Sequence, residues 1–467
     1  MATEGDFLKT ISSVNPFDPE QTVAEAQVAD DSQIQQVLDL STKAQRAWRS
    51  DAMLRSGALS ALGESIAARR DEFIDMMVRE VGKPVPEAEG ELERALAILR
   101  YYSQVVLDSN GTTYPGSTPG AKVLVQREPL GVVLAICPWN FPLAIPLWKA
   151  APAMAYGNSV IMKPATPAIG TAALLQECVD QALPEGVLQQ LVISGARAGD
   201  LLDDPVIAGV TFTGSTEVGI SVAERMARRA APAQAEMGGQ NPAIVLADAN
   251  LEAAADAIVG GALGFAGQKC TATRRVVAVA EVTEELESLL ADRFNSVKVG
   301  DPAQSGVTAG PLISSQAVDE TEDAVRQALD AGAREVAAAD VPGGPGFFAQ
   351  PRLLREDDPA ATVNQEETFG PLLTLLSVAD TEAAVAAANA TRFGLVGAVH
   401  GRDLSRAAEV ASQLDCGLRR INAPTPGVDF YAPFGGEGLS SFGPREQGRA
   451  AGEFFTATKT MTVIPAP

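Results

Sequence analysis

The chain has 467 residues, 46% of them hydrophobic, and a formal net charge of −23. That length exceeds one compact core and predicts two or three domains, and the apolar fraction excludes a disordered chain. The acidic balance argues against nucleic acid and against an anionic membrane as partners.

The four cysteines, Cys137, Cys178, Cys270 and Cys416, stand at neither metal-ligand nor C-x-x-C spacing, so no metal site and no disulfide framework is expected. Met1–Thr10 lacks the apolar stretch of a signal peptide. The longest uncharged run, Pro129–Trp148, approaches bilayer length. Pro138, Pro142 and Pro146, with Asn140, speak against a spanning helix there. The expectation is a soluble, cytoplasmic protein. His400 is the only histidine and follows an apolar strand-like run, Leu395–Val399, so it reads as structural. Histidine-based nucleophilic catalysis would depend on that one residue. A general base is therefore expected to be a carboxylate or a lysine.

Residues 19–110 read as largely helical, with apolar residues at helical spacing over Ala24–Trp48, Arg55–Arg79 and Glu87–Val106. A Gly/Thr/Pro-rich break, Asn110–Gly120, precedes an extended run, Lys122–Glu128. That excursion fits a protruding ribbon used in subunit pairing, or an ordinary hairpin. Gly131–Cys137 has the pattern of a buried parallel strand. Further strands follow at Val160–Lys163, Leu191–Gly195 and Gly209–Thr213, with a helix over Gly170–Leu183. Such alternation predicts a doubly wound parallel sheet. Asn140 falls just past the first strand's end, where open α/β sheets bind ligands, and its amide can donate to an oxyanion. Lys149 lies nine positions further on, in an apolar helix start. Gly214-Ser215-Thr216 turns into a helix and offers N–H groups to phosphate. No G-x-G-x-x-G follows any strand.

The chain is organised around residues 236–270, although Cys270 taken in isolation reads more often as an inert buried cysteine. Glu236-Met237-Gly238-Gly239-Gln240-Asn241-Pro242 opens the stretch and Gly267-Gln268-Lys269-Cys270 closes it, around an Ala/Gly-rich helix over about Leu251–Phe265. A carboxylate and a thiol folded onto one cleft make a general base and a nucleophile. Beyond Cys270 come a strand at Val276–Ala280, helices at Glu284–Asn295 and Ala317–Ala331, and a Pro/Gly loop at 341–347. Asn364–Pro371 precedes another apolar run, and Arg420–Gly438 is turn-rich. The alternating strand Thr458–Ile464 is free to pair outside its own domain.

Seven markers in order resemble the aldehyde dehydrogenase superfamily: Pro138–Pro142, Lys163-Pro164, Phe212–Ser215, Glu236 with Gly238-Gly239, Gly267-Gln268 with Cys270, Glu367 with Phe369–Pro371, and Pro433–Gly436. The resemblance implies an α/β fold of two doubly wound parallel-sheet domains with a small β oligomerisation arm. It implies a cofactor-binding domain at 1–109 and 131–238, a catalytic domain at 239–444, and an arm at 110–130 and 445–467. Cys270 would attack an aldehyde, Asn140 and the Cys270 N–H would hold the oxyanion, and Glu236 would activate water against the thioester. Lys149 would sit near the active site. Ile136, Pro138, Trp139, Lys163, Thr166, Gly195, Gly199, Thr213, Gly214, Ser215, Gly238, Glu367 and Phe369 would contact NADP or NAD. The loop Ser194–Gly199 keeps two glycines of the family's loop. Thr166 stands where NAD-preferring members carry a glutamate that repels a 2′-phosphate, so NADP is the expected cofactor.

The tail Gly443–Ala451, with Glu453–Thr456, is similar to the branch that oxidises α-ketoglutarate semialdehyde (2,5-dioxopentanoate), with succinic semialdehyde the second choice. An anionic substrate asks for a cationic pocket, and Arg274, Arg419 and Arg420 are the candidates. A homodimer or homotetramer is expected. Two other classes share the residue set: a thiol acyl-transfer enzyme or esterase, and a non-catalytic protein of the same fold. Intact cofactor markers disfavour the first, and an intact Cys270, Glu236 and Asn140 disfavour the second.

Overall fold

The computed structural model describes residues 9–465, so most of the Met1–Thr10 segment lies outside the described residues. Two sheets organise the chain. The first has six strands, in the order Ser441–Phe442, Ala233–Glu236, Ile207–Thr213, Val132–Ile136, Ser159–Lys163 and Leu188–Gln190. All neighbours are parallel except the Ser441–Phe442 edge. Successive residues of Val132–Ile136 serve opposite faces, as a pleated strand requires. Val133 and Ala135 join the core under the helices Ala52–Ala68 and Val85–Val105, and Val132 and Leu134 join the other.

The second sheet has seven strands, in the order Arg334–Ala338, Arg352–Arg355, Leu372–Val378, Thr273–Val279, Asn241–Val245, Val396–His400 and Leu418–Ile421. It too carries a core on each face, Ala243 and Val245 on one and Ile244 on the other. A separate three-stranded antiparallel sheet joins Thr456–Val463, Lys122–Pro129 and Gly111–Pro115.

Several expectations need correction. The first long helix begins at Asp31, not Ala24, because Asp18–Gln27 forms a hairpin with Thr10–Asn15. Asp30 starts the helix with a reciprocal capping box to Gln33. The run Arg55–Arg79 is two helices that break at Arg69, whose ψ of 26° leaves the helical range. The third strand of the first sheet is Leu188–Gln190 rather than Leu191–Gly195, since Ser194 turns away to cap the helix Gly195–Leu201. Gly195 and Gly199 therefore sit in a helix and not in a loop. The tail strand, expected free to pair outside its own domain, pairs with Lys122–Pro129. It starts at Thr456 rather than Thr458, and Ala451, Phe454 and Phe455 before it are buried in the first sheet's core.

Candidate active site

The two sheets meet through one short link. Glu236 ends the strand Ala233–Glu236, opposite Thr213 of its neighbour. Asn241 begins the second sheet, opposite Thr273. Cys270 lies just before Thr273, so the link 237–240 brings the carboxylate edge of one sheet to the thiol edge of the other. A sequence separation of one helix is thereby folded into one cleft.

The Cys270 loop is held in a strained shape. Phe265 and Ala266 have φ of 54° and 51° without being glycine, a conformation that costs on the order of 1–3 kcal/mol per residue. Gly267 follows at φ 73°, and a Cβ there would meet the Gly370 carbonyl oxygen at 2.3 Å. The Gln268 side chain fixes the turn: it donates to Phe265 and Pro311 carbonyls and accepts from the Ile313 N–H. Asn241 Nδ2 donates to the carbonyls of Cys270 and Ala272, both at 2.8 Å.

Asn140 reaches this loop from the first sheet. Its Nδ2 donates to the Gln268 carbonyl at 3.0 Å. Buried Lys83 donates to the Asn140 carbonyl at 2.7 Å and ion-pairs with buried Glu91. Glu91 Oε1 in turn accepts from the N–H groups of Leu143 and Ala144 at 2.8 and 2.9 Å. The Lys83 ammonium also lies 4.0 Å from the centre of the Phe141 ring. Asn140 and the chain just after it are thus clamped by one buried ion pair.

Glu236 is buried, and its Oε2 accepts from the Ser441 hydroxyl at 2.5 Å. Burial raises its pKa well above the carboxylate range, Glu446 adds to the rise, and Ser441, Lys149 and Arg445 oppose it. Burial also pushes the partly exposed Cys270 thiol up to about 12, with Glu367 and Glu236 adding. Behind them, buried Lys149 pairs with Glu446 and donates to Thr211 Oγ1 and the Phe212 carbonyl at 3.0 and 3.2 Å. His400 is buried in the second sheet, where desolvation lowers its pKa to about 4.

A cavity of about 360 Å³ opens on the thiol, lined by Cys270, Phe141, Trp148 and Phe434, and by Arg94 and Lys269. A larger groove of about 740 Å³ beside the helix Ser315–Asp330 meets the site only at its Glu367–Phe369 edge.

On the first sheet, Ile136 lies opposite Lys163 on one side and Phe212 on the other. Chain order reverses between Val132–Ile136 and Ile207–Thr213, the switch point at which open sheets bind ligands. Three polar groups at this edge are unspent. Thr213 Oγ1 is buried without a partner among the described residues. Ser215 caps the helix Thr216–Arg228 without a side-chain hydrogen bond. Lys163 forms no ion pair among the described residues, and burial lowers its pKa. A ribose and phosphate group fits that donor set. Across the link, Glu367 Oε1 accepts from the Gly239 N–H at 3.1 Å, and a Cβ on Gly238 would fall 1.8 Å from Glu367 Oε2. Trp139 packs edge-on against Phe369, ring centres 5.8 Å apart.

The sequence profile of the aldehyde dehydrogenase family matches residues 3–461. The chain belongs to the aldehyde dehydrogenase family. It is 37% identical to an alpha-ketoglutaric semialdehyde dehydrogenase of Bacillus subtilis, covering 99% of this chain and 95% of that protein. A succinate-semialdehyde dehydrogenase [NADP(+)] of Deinococcus radiodurans is 35% identical, over 98% of this chain and 95% of that one. An NAD-dependent aldehyde dehydrogenase of Sinorhizobium meliloti superposes with a TM-score of 0.95 at 30% identity, covering 100% and 94% of the two chains.

Within this aldehyde dehydrogenase, Cys270, Glu236, Asn140 and Lys149 converge at the meeting of the two sheets, and Glu367 and Gly238 touch each other across it. Thr166 is exposed in a short turn after Lys163. Gly199 faces elsewhere: a Cβ there would meet Arg225 Nη1 at 2.8 Å. None of the three arginines expected to meet an anionic substrate lines the cavity. Arg274 donates to the Gly370 and Gly267 carbonyls, Arg419 to Leu414 and Arg420 to Gly427. Main-chain carbonyls engage them, and Arg94 is the arginine that lines the cavity. The sequence reading also missed Ser441 and Glu446, although Glu446 lies inside the branch-marking tail 443–451. Among the described residues no helix is long and apolar enough to cross a membrane, and no acidic, cysteine or histidine cluster is arranged to hold a metal ion.

Proposed function

We propose that this aldehyde dehydrogenase oxidises α-ketoglutarate semialdehyde to α-ketoglutarate through a thioester on Cys270, with NADP preferred over NAD. The observation that carries the chemistry is the placement of buried Glu236 beside Cys270, where the glutamate's charge helps hold the thiol in its protonated form. The protonated thiol hands its proton to Glu236 as sulfur adds to the aldehyde carbon. The Asn140 amide and the Cys270 N–H receive the developing oxyanion. A bound nicotinamide would supply the hydride acceptor, held by Lys163, Thr213, Ser215 and Glu367. Glu236 releases the thiol's proton to solvent, then removes a proton from water as the water oxygen attacks the thioester carbon, and returns that proton to the Cys270 sulfur as it leaves, giving the free thiol and the carboxylic acid. Lys149 and Glu446 set the charge behind Glu236.

The relatives' substrates support a semialdehyde with a carboxylate tail, α-ketoglutarate semialdehyde first and succinic semialdehyde second. Thr166 supports NADP, since no carboxylate stands there to repel a 2′-phosphate. The first sheet serves as the cofactor-binding domain and the second as the catalytic domain. The small sheet is an oligomerisation arm for a dimer or tetramer, and exposed Met461, Val463 and Ile464 at its tail strand support that use. The absence of a membrane-length helix among the described residues is compatible with a cytoplasmic enzyme. The test is absorbance at the reduced-nicotinamide band with a panel of anionic and neutral aldehydes and each cofactor. A preference for long-chain or aromatic aldehydes in kcat/KM would reject the substrate, and ester turnover without cofactor reduction would reject the oxidation.

A further inference from the structure

The cavity before Cys270 carries a cation whose charge is not spent. The helix Val85–Val105 presents Glu87, Gly90, Glu91 and Arg94 to it, a spacing that puts them on one helical face. Two of these charges are neutralised at close range. Glu87 holds Lys269 with both oxygens, at 2.7 and 2.8 Å. Glu91 is paired with Lys83. Arg94 forms no ion pair among the described residues and donates only to the main-chain carbonyl of Val428. Asp429 and Glu91 act on it from beyond ion-pair distance, while burial disfavours its charge. A half-buried guanidinium with spare N–H groups is a receptor for carboxylate.

A second donor stands beside it. Trp148 lines the same cavity and is only 7% exposed, yet its indole N–H has no partner among the described residues. Its ring packs on Phe434 at 5.5 Å between centres, which fixes its plane. A buried indole N–H without an acceptor is uncommon, because the lost hydrogen bond is not recovered elsewhere. A substrate oxygen entering the cavity would satisfy it.

The spacing fits a short tail. Glu87 holds Lys269, the neighbour of Cys270, and Arg94 lies seven residues further along the helix, about 10 Å at the usual rise. At roughly 1.5 Å per bond, a semialdehyde of about five carbons spans much of that length, and the arginine side chain covers the remainder.

We propose that Arg94 and the Trp148 indole N–H form the subsite for the substrate's anionic tail, Arg94 pairing with a terminal carboxylate and Trp148 donating to an oxygen of the tail. This rests on the reading of the protein as a semialdehyde dehydrogenase. It assigns the recognition that Arg274, Arg419 and Arg420 do not supply.

The test compares kcat/KM for succinic semialdehyde with that for butanal, its neutral counterpart, in wild type, Arg94→Gln and Arg94→Lys. Arg94→Gln is expected to lower the ratio by about 30-fold, mainly through KM, and Arg94→Lys to recover part of it. Trp148→Phe is expected to lower kcat/KM for α-ketoglutarate semialdehyde about fivefold relative to butanal. Equal losses on both aldehydes, or an unchanged ratio in Arg94→Gln, would overturn the subsite. Cofactor binding by fluorescence titration checks that each variant is folded. If Arg94→Gln does not fold, Gly90→Leu takes its place, since a Cβ at Gly90 meets nothing within 4 Å and the side chain can grow into the cavity. It is expected to slow α-ketoglutarate semialdehyde more than acetaldehyde, and equal effects would count against the subsite. A wild type that prefers butanal overturns the semialdehyde substrate and this inference with it, whereas a preference for the anionic aldehyde that survives Arg94→Gln overturns this inference alone. A wild type that reduces cofactor with no aldehyde overturns the dehydrogenase reading beneath it.

Discussion

The buried ammonium of Lys83 donates to the main-chain carbonyl of Asn140 at 2.7 Å, from a helix junction 57 residues away in sequence. Its partner Glu91 holds the next N–H groups, those of Leu143 and Ala144. The oxyanion donor is therefore positioned by a charge pair that touches no substrate atom. Lys83→Met strands Glu91 in the interior and should cost about 3–5 kcal/mol in chemical denaturation. Lys83→Met with Glu91→Gln should regain most of that stability. The carbonyl of Asn140 remains untethered in both, so kcat should stay about 10- to 100-fold low even in the stable double variant. Full kcat in the double variant would reduce the pair to a structural role.

Cys270→Ala should abolish oxidation and leave cofactor affinity intact. Residual turnover within about tenfold of wild type corresponds to a barrier change of only about 1.4 kcal/mol, too small for loss of the nucleophile. The measurement is cofactor reduction with α-ketoglutarate semialdehyde, beside fluorescence titration of the cofactor.

The acid limb of the pH profile should move in opposite directions in two variants. Deacylation needs ionised Glu236, so its rate falls as pH drops through the raised pKa of that group. Ser441→Ala removes a hydrogen bond that favours the carboxylate, so the limb should shift to higher pH. Glu446→Gln removes a neighbouring negative charge and frees Lys149, so the limb should shift to lower pH. The same pKa has a stability consequence. A folded pKa above the unfolded value favours the fold at low pH, and that contribution is lost as pH rises through the folded value. Glu236→Gln should therefore flatten the upper part of the stability–pH curve. Shifts of the same sign in Ser441→Ala and Glu446→Gln would contradict this account.

Gly238→Ala places a Cβ 1.8 Å from Glu367 Oε2. The glutamate must swing away, and cofactor affinity should fall by about tenfold or more with little change in melting temperature. Titration of the cofactor into the variant checks it, and unchanged affinity would separate Glu367 from the cofactor.

Thr166→Glu should lower the NADP-to-NAD ratio of kcat/KM by at least about tenfold. A carboxylate at this exposed turn facing a 2′-phosphate costs on the order of 1–4 kcal/mol, between the bulk-water and near-surface limits. A wild type that favours NAD more than tenfold, or an unchanged ratio in the variant, would remove Thr166 from cofactor choice.

The sequence by itself determined the alternation of strands and helices, because strand period and helix period are local properties of side-chain order. It also determined the short motifs around Asn140, Glu236 and Cys270, whose glycines answer to contacts only glycine permits, as Gly238 does against Glu367 and Gly267 against Gly370. It did not reveal the hairpin Thr10–Asn15 with Asp18–Gln27, whose strands are about half exposed, fully bury only Ser13 and so show no continuous apolar face. Tertiary structure alone decided which charges meet. Periodicity says which face of Val85–Val105 turns inward, but not that Lys83 and Glu91 clamp Asn140 or that Arg94 finds no counter-ion among the described residues. Nor does it say that Ser441 and Glu446 return from the far end of the chain to set the charge of Glu236. Those pairings depend on how two sheets are laid edge to edge, and in a buried site each charge takes its pKa from the neighbours that this packing supplies.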